Sequence, residues 1–538
     1  MGERIPVFTA RQMRRCDEYT IREQGIPSQV LMERAAEALV HCLNRHTKPF
    51  PAGRVLVLCG SGNNGGDGFA VARRLTAGDG CTARSVTVLY TGRRDAHGAP
   101  DAARMSAECA RQYGLAGEAG VSIRTPEALP ELLRQSAVVV DAVFGIGLDR
   151  PVEGETAEVF RMINDTGIPV LAADIPSGVM ADTGDAPGAV IRATVTVTMQ
   201  ALKPGLLLYP GADLCGEVLV ADLGIAVMQE REPWAYLADD ALLRTVLPPR
   251  SRRTHKGSYG RLSLVCGSAG MAGAARLATE AAMRAGVGLA CIVTPEENRT
   301  ALQAALPEAV LTAYETVPKT LPPADGYVVG CGLGTSGVAY RVLDMILHTP
   351  ALSAPVPCPV VLDADALNLL AAHPELWNTP LFRNPCRAVV LTPHPAEMAR
   401  LADLPIRTVL EDLPGVASEF AARHGVTVVL KDAHTVIAAP DGGRWLSVAG
   451  NAGMAKGGTG DLLAGLIGSL LVQARDRLRS GTLTAAEIAA AGVYLHGAAG
   501  DRCAEAWGEY GMIPTDILRA IPAVTRGLSD SRTAIGTV

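Results

Sequence analysis

Short blocks of consecutive apolar residues, each ended by glycine or a lone acid and followed by helix-spaced segments, recur along the whole chain. Val55–Cys59, Val86–Tyr90, Val138–Asp141, Pro169–Asp174, Ala193–Thr198 and Gly216–Ala221 read as buried strands in the first half, with a helix over Phe69–Leu75. Arg261–Cys266, Leu289–Val293, Gly326–Gly330, Val360–Asp363, Ala388–Thr392 and Val426–Lys431 repeat the rhythm in the second. Blocks this uniformly apolar, alternating with helices, predict parallel sheets covered on both faces. Thr9 to Leu43 reads as a helical layer, with Thr9 a candidate N-cap and Pro27 a break. The charged and aromatic stretch Met228–Tyr236 interrupts the pattern, so we expect two domains, 1–228 and 229–538. The expected class is α/β, with two three-layer domains.

Composition narrows this picture. A chain of 538 residues exceeds one core, and 48% hydrophobic with 4% aromatic residues implies Ala/Val/Leu packing. A net charge of −6 gives no general attraction to nucleic acid or to an anionic membrane. The twelve cysteines stand singly, without zinc-ligand spacing, and suit a reducing cytoplasm. No secretion signal or membrane-spanning run is legible, so a soluble cytoplasmic protein is expected.

The strongest chemical signal is Gly450-Asn-Ala-Gly-Met-Ala-Lys-Gly-Gly-Thr-Gly-Asp461, followed by an apolar run to Val472. Glycines free the backbone N–H groups to converge, and a helix starting near Asp461 adds its positive dipole end, a geometry that binds phosphate. An acid where phosphate sits is unfavourable unless it acts on a bound hydroxyl, which makes Asp461 the first catalytic candidate. The motif lacks the Gly-Lys-Ser/Thr ending of a Walker loop. A glycine-rich turn before a buried helix is the plain alternative. His394, held between two prolines, could hydrogen-bond a substrate ring, and Lys431 at a strand end could reach a phosphate. Gly330–Gly334 opens another turn, and Asp363 and Asp365 are candidates to hold water, Mg²⁺ or substrate.

In the first half, Gly60-Ser-Gly-Asn-Asn-Gly-Gly-Asp67 joins a strand to a helix, where α/β sheets bind ligands. Asp141, followed by Phe144–Arg150, and Asp174, followed by Pro176 and Ser177, close neighbouring strands. Each acid could simply cap its turn. Oxygens of Asn64, Asp141 and Ser177 would suit a cation of low charge, leaving Asp174 for proton transfer.

The motifs at 60–68, 141–148 and 174–179 resemble the YjeF N-terminal family, the NAD(P)HX epimerases, which interconvert the R and S forms of nicotinamide cofactors hydrated at C6. The resemblance implies that Asn63, Asn64, Gly65, Gly66, Asp67, Gly145, Ile146, Gly147, Leu148, Asp149, Arg150 and Asp174 contact the hydrated cofactor, with Asp174 catalytic. It also implies that Asn64, Asp141 and Ser177 hold K⁺. The second half, with His255–Arg261 at its start, resembles the ADP-dependent NAD(P)HX dehydratases of the ribokinase fold. There the resemblance implies ADP contacts at Lys431, Asp432, Ala433, His434, Thr435 and Gly460. Gly334, His394 and the catalytic Asp461 then face the substrate.

NADHX and NADPHX are the implied substrates, and similar enzymes form homo-oligomers. Lys456 departs from the Thr or Ser usual at its position. Two rival readings remain: a vitamin or sugar kinase fused to a ligand-binding domain, and a non-catalytic YjeF-type binding module.

Overall fold

The computed structural model describes residues 4–46, 48–78, 84–227, 232–353, 358–384 and 388–526. The chain forms two compact units, Pro6–Trp234 and a second that begins at Ala235 and includes Ile5. The expected boundary after residue 228 lies outside the described residues.

In the first unit seven parallel strands run in the spatial order Ser122–Arg124, Val86–Tyr90, Arg54–Cys59, Ser136–Ala142, Val170–Ala173, Val195–Met199 and Glu217–Ala221. The unbroken apolar block at 55–59 serves both faces of this sheet. Val55, Val57 and Cys59 join the core shared with helices Ser28–Arg45 and Asn63–Ala77, while Leu56 and Leu58 pack with Phe160 and Leu132 on the other face. Thr9 caps helix Ala10–Arg22 through a capping box with Gln12. One detail differs from expectation: the 60–67 motif is not all loop. The helix begins at Asn63, because Gly62 takes the extended N-cap conformation and leaves Asn63–Asp67 to form the first turn.

In the second unit, strands Val310–Tyr314, Leu289–Pro295, Arg261–Val265, Gly326–Val329, Pro359–Leu362, Ala388–Leu391 and Thr427–Leu430 are parallel neighbours in that order. The sheet then turns antiparallel through Thr435–Ala438 and Arg444–Ser447, and Ala235–Leu237 pairs with the last. This antiparallel edge departs from the all-parallel expectation: the turn at 431–434 returns the chain directly beside its own strand. Chain direction along the sheet reverses between Arg261–Val265 and Gly326–Val329, the kind of switch point where α/β sheets open a crevice.

Helix Thr459–Gln473 is buried on nearly every side. Gly465 and Gly468 make that possible, since a Cβ at the first would lie 2.0 Å from the Ala278 carbonyl oxygen and at the second 2.3 Å from Val328. Among the described residues no helix is long and apolar enough to cross a membrane.

Candidate active sites

The parallel register of the first unit aligns Cys59, Ala142 and Ala173 at one edge, so the turns after them share a cleft of about 560 Å³. Asp174 has φ +69°, a left-handed conformation unusual for a residue with a side chain. Its Oδ1 accepts from Lys203 Nζ at 2.6 Å, Met199 N at 3.1 Å and Thr198 Oγ1 at 3.3 Å. Lys203 is 1% exposed and also donates to Thr198 Oγ1 and the Met199 carbonyl, so all three of its protons are hydrogen-bonded.

Gly145 lies against both Asn64 and Asp174: a Cβ there would be 3.4 Å from Asn64 Cγ and from Asp174 Oδ2. Asn63, Asn64, Asp67, Gly145, Ile146, Gly147 and Leu148 all line the cleft. Asp149 and Arg150 do not; both are exposed beyond it. Gly65 and Gly66 serve packing, with Gly66 set against Met32 and Cys109. Burial, reinforced by Asp174 and Asp17, pushes the Asp67 carboxyl well above its ordinary range.

Asp141 is wholly buried behind this cleft. It accepts from Ser177 N at 2.7 Å, Ser177 Oγ at 2.6 Å and Val143 N at 3.3 Å, and burial still pushes its carboxyl up to about 6. It makes no ion pair among the described residues, while the buried Asn64 Nδ2 has no partner. A buried carboxylate without a counter-charge, a serine hydroxyl and an unsatisfied amide whose oxygen can be turned inward form a donor set that fits a monovalent cation.

In the second unit, Cys331, Asp363 and Asp461 come together, their side-chain ligand atoms all within 4.8 Å of one another. Asp363 is 1% exposed and accepts from Thr392 Oγ1 at 2.7 Å and Lys431 Nζ at 3.0 Å. Burial, then the Asp363 charge, pushes Asp461 up to about 6 against the opposing pull of Cys331 and Lys431. Gly460 lies over Lys431, 3.5 Å from Nζ to the place of a Cβ. Gly334 N donates to Asp365 Oδ2 at 2.7 Å, which ties that open turn to the same strand end.

His394 caps helix Pro395–Ala402. Its Nδ1 accepts from Ala396 N and Glu397 N at 3.1 and 3.3 Å, which places the ring proton on Nε2. Partial burial, with Lys431 and Arg400 nearby, lowers its pKa against the pull of Glu397, so a neutral imidazole with a donor at Nε2 is half exposed at the site. In the 431–435 segment only Lys431 reaches the acidic cluster; Asp432 and Ala433 are exposed, His434 is half-buried, and Thr435 starts the next strand.

The glycine loop is braced from behind by helix Ala485–Gly511. Asp501 accepts from Gly450 N and Asn451 Nδ2, both at 3.0 Å. Lys456 turns away from the cradle and donates to the carbonyls of Glu509, Tyr510 and Met512. The His255–Arg261 segment does not join the cluster. It lines a separate cavity of about 430 Å³ where strands Arg261–Val265 and Leu289–Pro295 begin, at the opposite edge of the sheet.

Sequence reasoning missed Lys203, Cys331, Thr392, Asp501 and Asp17. Lys203 had a weak signal, following a buried strand and preceding proline; Asp17 and Asp501 lay within helical stretches and had none.

A family model described as YjeF-related protein N-terminus matches residues 28–205, and one described as NAD(P)H-hydrate dehydratase matches 262–523. A bifunctional NAD(P)H-hydrate repair enzyme of Moorella thermoacetica is 36% identical, covering 97% of each chain. One of Coxiella burnetii is 35% identical over 95% of this chain and 97% of its own. The crystal structure of an ADP/ATP-dependent NAD(P)H-hydrate dehydratase from Bacillus subtilis, co-crystallised with ATP and Mg²⁺, is 30% identical with a TM-score of 0.45, covering 55% of this chain and 98% of that one. The chain therefore belongs to the family of bifunctional NAD(P)H-hydrate repair enzymes, with an epimerase half followed by a dehydratase half.

Proposed function

We propose that the crevice around Asp461 dehydrates the S form of NADHX and NADPHX at the expense of ADP, and that the cleft around Asp174 exchanges the R and S forms. The observation that carries the first reading is an isolated acidic cluster, Asp363 and Asp461, set beside Lys431 and an open glycine loop at a helix N-terminus. Lys431 and the loop amides hold the diphosphate. Asp461, as the base, takes the proton of the substrate's C6 hydroxyl while that oxygen attacks the terminal phosphorus of ADP and AMP leaves. The lone pair of the ring nitrogen then expels phosphate from C6, and loss of a C5 proton restores the double bond of the reduced nicotinamide. His394 Nε2 donates a hydrogen bond to the substrate, and Gly334 leaves room for it.

In the epimerase cleft Asp174, paired with Lys203, accepts a proton from the water that adds at C6. Asn64, Asp141 and Ser177 would hold K⁺, whose charge would balance Asp141 and fix the turn that carries Gly145. Asp363, with Asp365 after the same strand, suits Mg²⁺ that arrives on the substrate diphosphate, which leaves Asp461 free as the base. Cys331 does not complete a protein cage for it: its thiol is kept protonated and is a soft donor. All ten described cysteines are unpaired, which supports a cytoplasmic setting, and a homo-oligomer follows from similar enzymes.

The test is to supply the protein with mixed R and S NADHX and follow the return of reduced-nicotinamide absorbance. ADP-dependent recovery of both epimers, with AMP and phosphate as products, is expected. A stable phosphorylated product formed only with ATP would favour a kinase instead.

A further inference from the structure

Helix Ala10–Arg22 precedes the segment matched to the YjeF model, yet it closes one wall of the epimerase cleft. Met13, Arg14, Asp17 and Ile21 all face that cleft, with Met13, Asp17 and Ile21 at the i, i+4 and i+8 spacing of one helical stripe. The two apolar members wall off water. Arg14 donates to the Ile146 carbonyl at 3.3 Å and so ties the helix to the Gly145–Leu148 turn. Asp17 makes no hydrogen bond or ion pair among the described residues; it is half-buried and opens into the cleft.

The charged groups around Asp17 are Arg14 on its own helix, Asp67 and Glu108 across the cleft, and Asp174 with Lys203 at its floor. Glu108 is engaged by Ser28 at 2.6 Å. Lys203 is committed to Asp174. Asp17 and Asp67 thus share the floor and wall with Asp174 while the one buried lysine is already committed, which disfavours the charged form of both. Asp174 Oδ1 takes three donors, Lys203 among them, whereas no donor reaches Asp17 among the described residues. Burial pushes Asp17 up to about 6, with Lys203 opposing and Asp174 adding to the rise. Burial likewise raises Asp67 well above its ordinary range.

Inversion at C6 breaks the C6–O bond and makes it again from the opposite face of the ring. The nitrogen lone pair forms a C=N⁺ bond as water departs, and a second water adds while the electron pair returns to nitrogen. The departing oxygen needs a proton and the arriving water must lose one, so the net reaction consumes nothing but needs two proton-handling groups.

We propose that Asp17 is the second of these groups, giving its proton to the departing C6 oxygen while Asp174 receives one from the arriving water. The assignment rests on reading this cleft as the epimerase site. After one inversion the two carboxyls have exchanged states, and proton exchange with solvent restores them.

The experiment uses the full chain without ADP, so that dehydration is idle, and measures R to S exchange of NADHX by chromatography for the wild type, Asp17→Asn and Asp17→Glu. Asp17→Asn is expected to lower kcat for exchange by about 100-fold or more. Its KM should stay within about threefold, and Asp17→Glu should recover part of the rate and keep a pH-dependent limb that Asp17→Asn lacks. ADP-dependent dehydration of pure S-NADHX by Asp17→Asn, unchanged from wild type, shows that the chain is folded. Exchange by Asp17→Asn within about twofold of wild type would overturn the proposal, as would a loss seen wholly in KM. If the wild type itself fails to exchange the epimers, the epimerase reading falls first and this proposal with it.

Discussion

Replacing Gly465 by alanine tests whether the buried helix positions Asp461, the proposed catalytic base. The new Cβ would lie 2.0 Å from the Ala278 carbonyl oxygen and 2.8 Å from its carbon. Both are main-chain atoms of helix Ala272–Arg284 and have no rotamer to move into. Relief requires the two helices to part by about 1 Å, and overpacking of this kind costs about 1–3 kcal/mol, here at the upper end because the neighbour is backbone. Asp461 stands one turn before Gly465 on the same stripe, so it moves with the helix. A displacement of about 1 Å at a reacting group lowers turnover by about 100-fold. Scanning calorimetry and ADP-dependent dehydration of S-NADHX read the two effects, with R to S exchange as the internal control. Gly273→Ala, at a helical position with nothing near its Cβ, should not lower the melting temperature. If Gly465→Ala melted like the wild type and dehydrated within about twofold of it, helix approach would not be what holds Asp461.

Two further outcomes follow from the charges. Asp461 as a base must be ionised, so dehydration should fall as pH drops below about 6. Its folded pKa lies above the unfolded value, so its stabilising contribution is full below about 4 and lost as pH rises through about 6; Asp461→Asn should therefore raise the melting temperature at pH 8 but not at pH 4, while abolishing turnover. Lys203→Met would strand Asp174 in the interior without its ion partner, a loss of about 3–5 kcal/mol; a loss below about 1 kcal/mol in urea unfolding would contradict that pairing.

Much of the fold was legible because buried parallel strands are apolar without alternation, and the acids that end them stand out against that background. Asp141, Asp174, Asp363 and Lys431 were visible for this reason. Strand Val310–Tyr314 was not, since it lies at a sheet edge, half exposed, with no clear pattern. The hairpin partner Thr435–Ala438 was not among the expected strands, because so short a segment carries little pattern of its own. Lys203 reaches Asp174 across 29 residues and Lys431 reaches Asp363 across 68, separations with no periodic trace. Asp501 sits in an alanine-rich helix, where one acid looks like an ordinary solvent-facing residue.

With the glycine loop as the proposed diphosphate cradle, the two tethers behind it bear on how a nucleotide comes and goes. Asp501 fastens its entrance and Lys456 its middle, and each charge-assisted bond resists opening by roughly 1.5–3 kcal/mol. Such a loop is a socket rather than a flap, so the dwell time of the spent nucleotide depends on how firmly the socket grips it and not on a hinge.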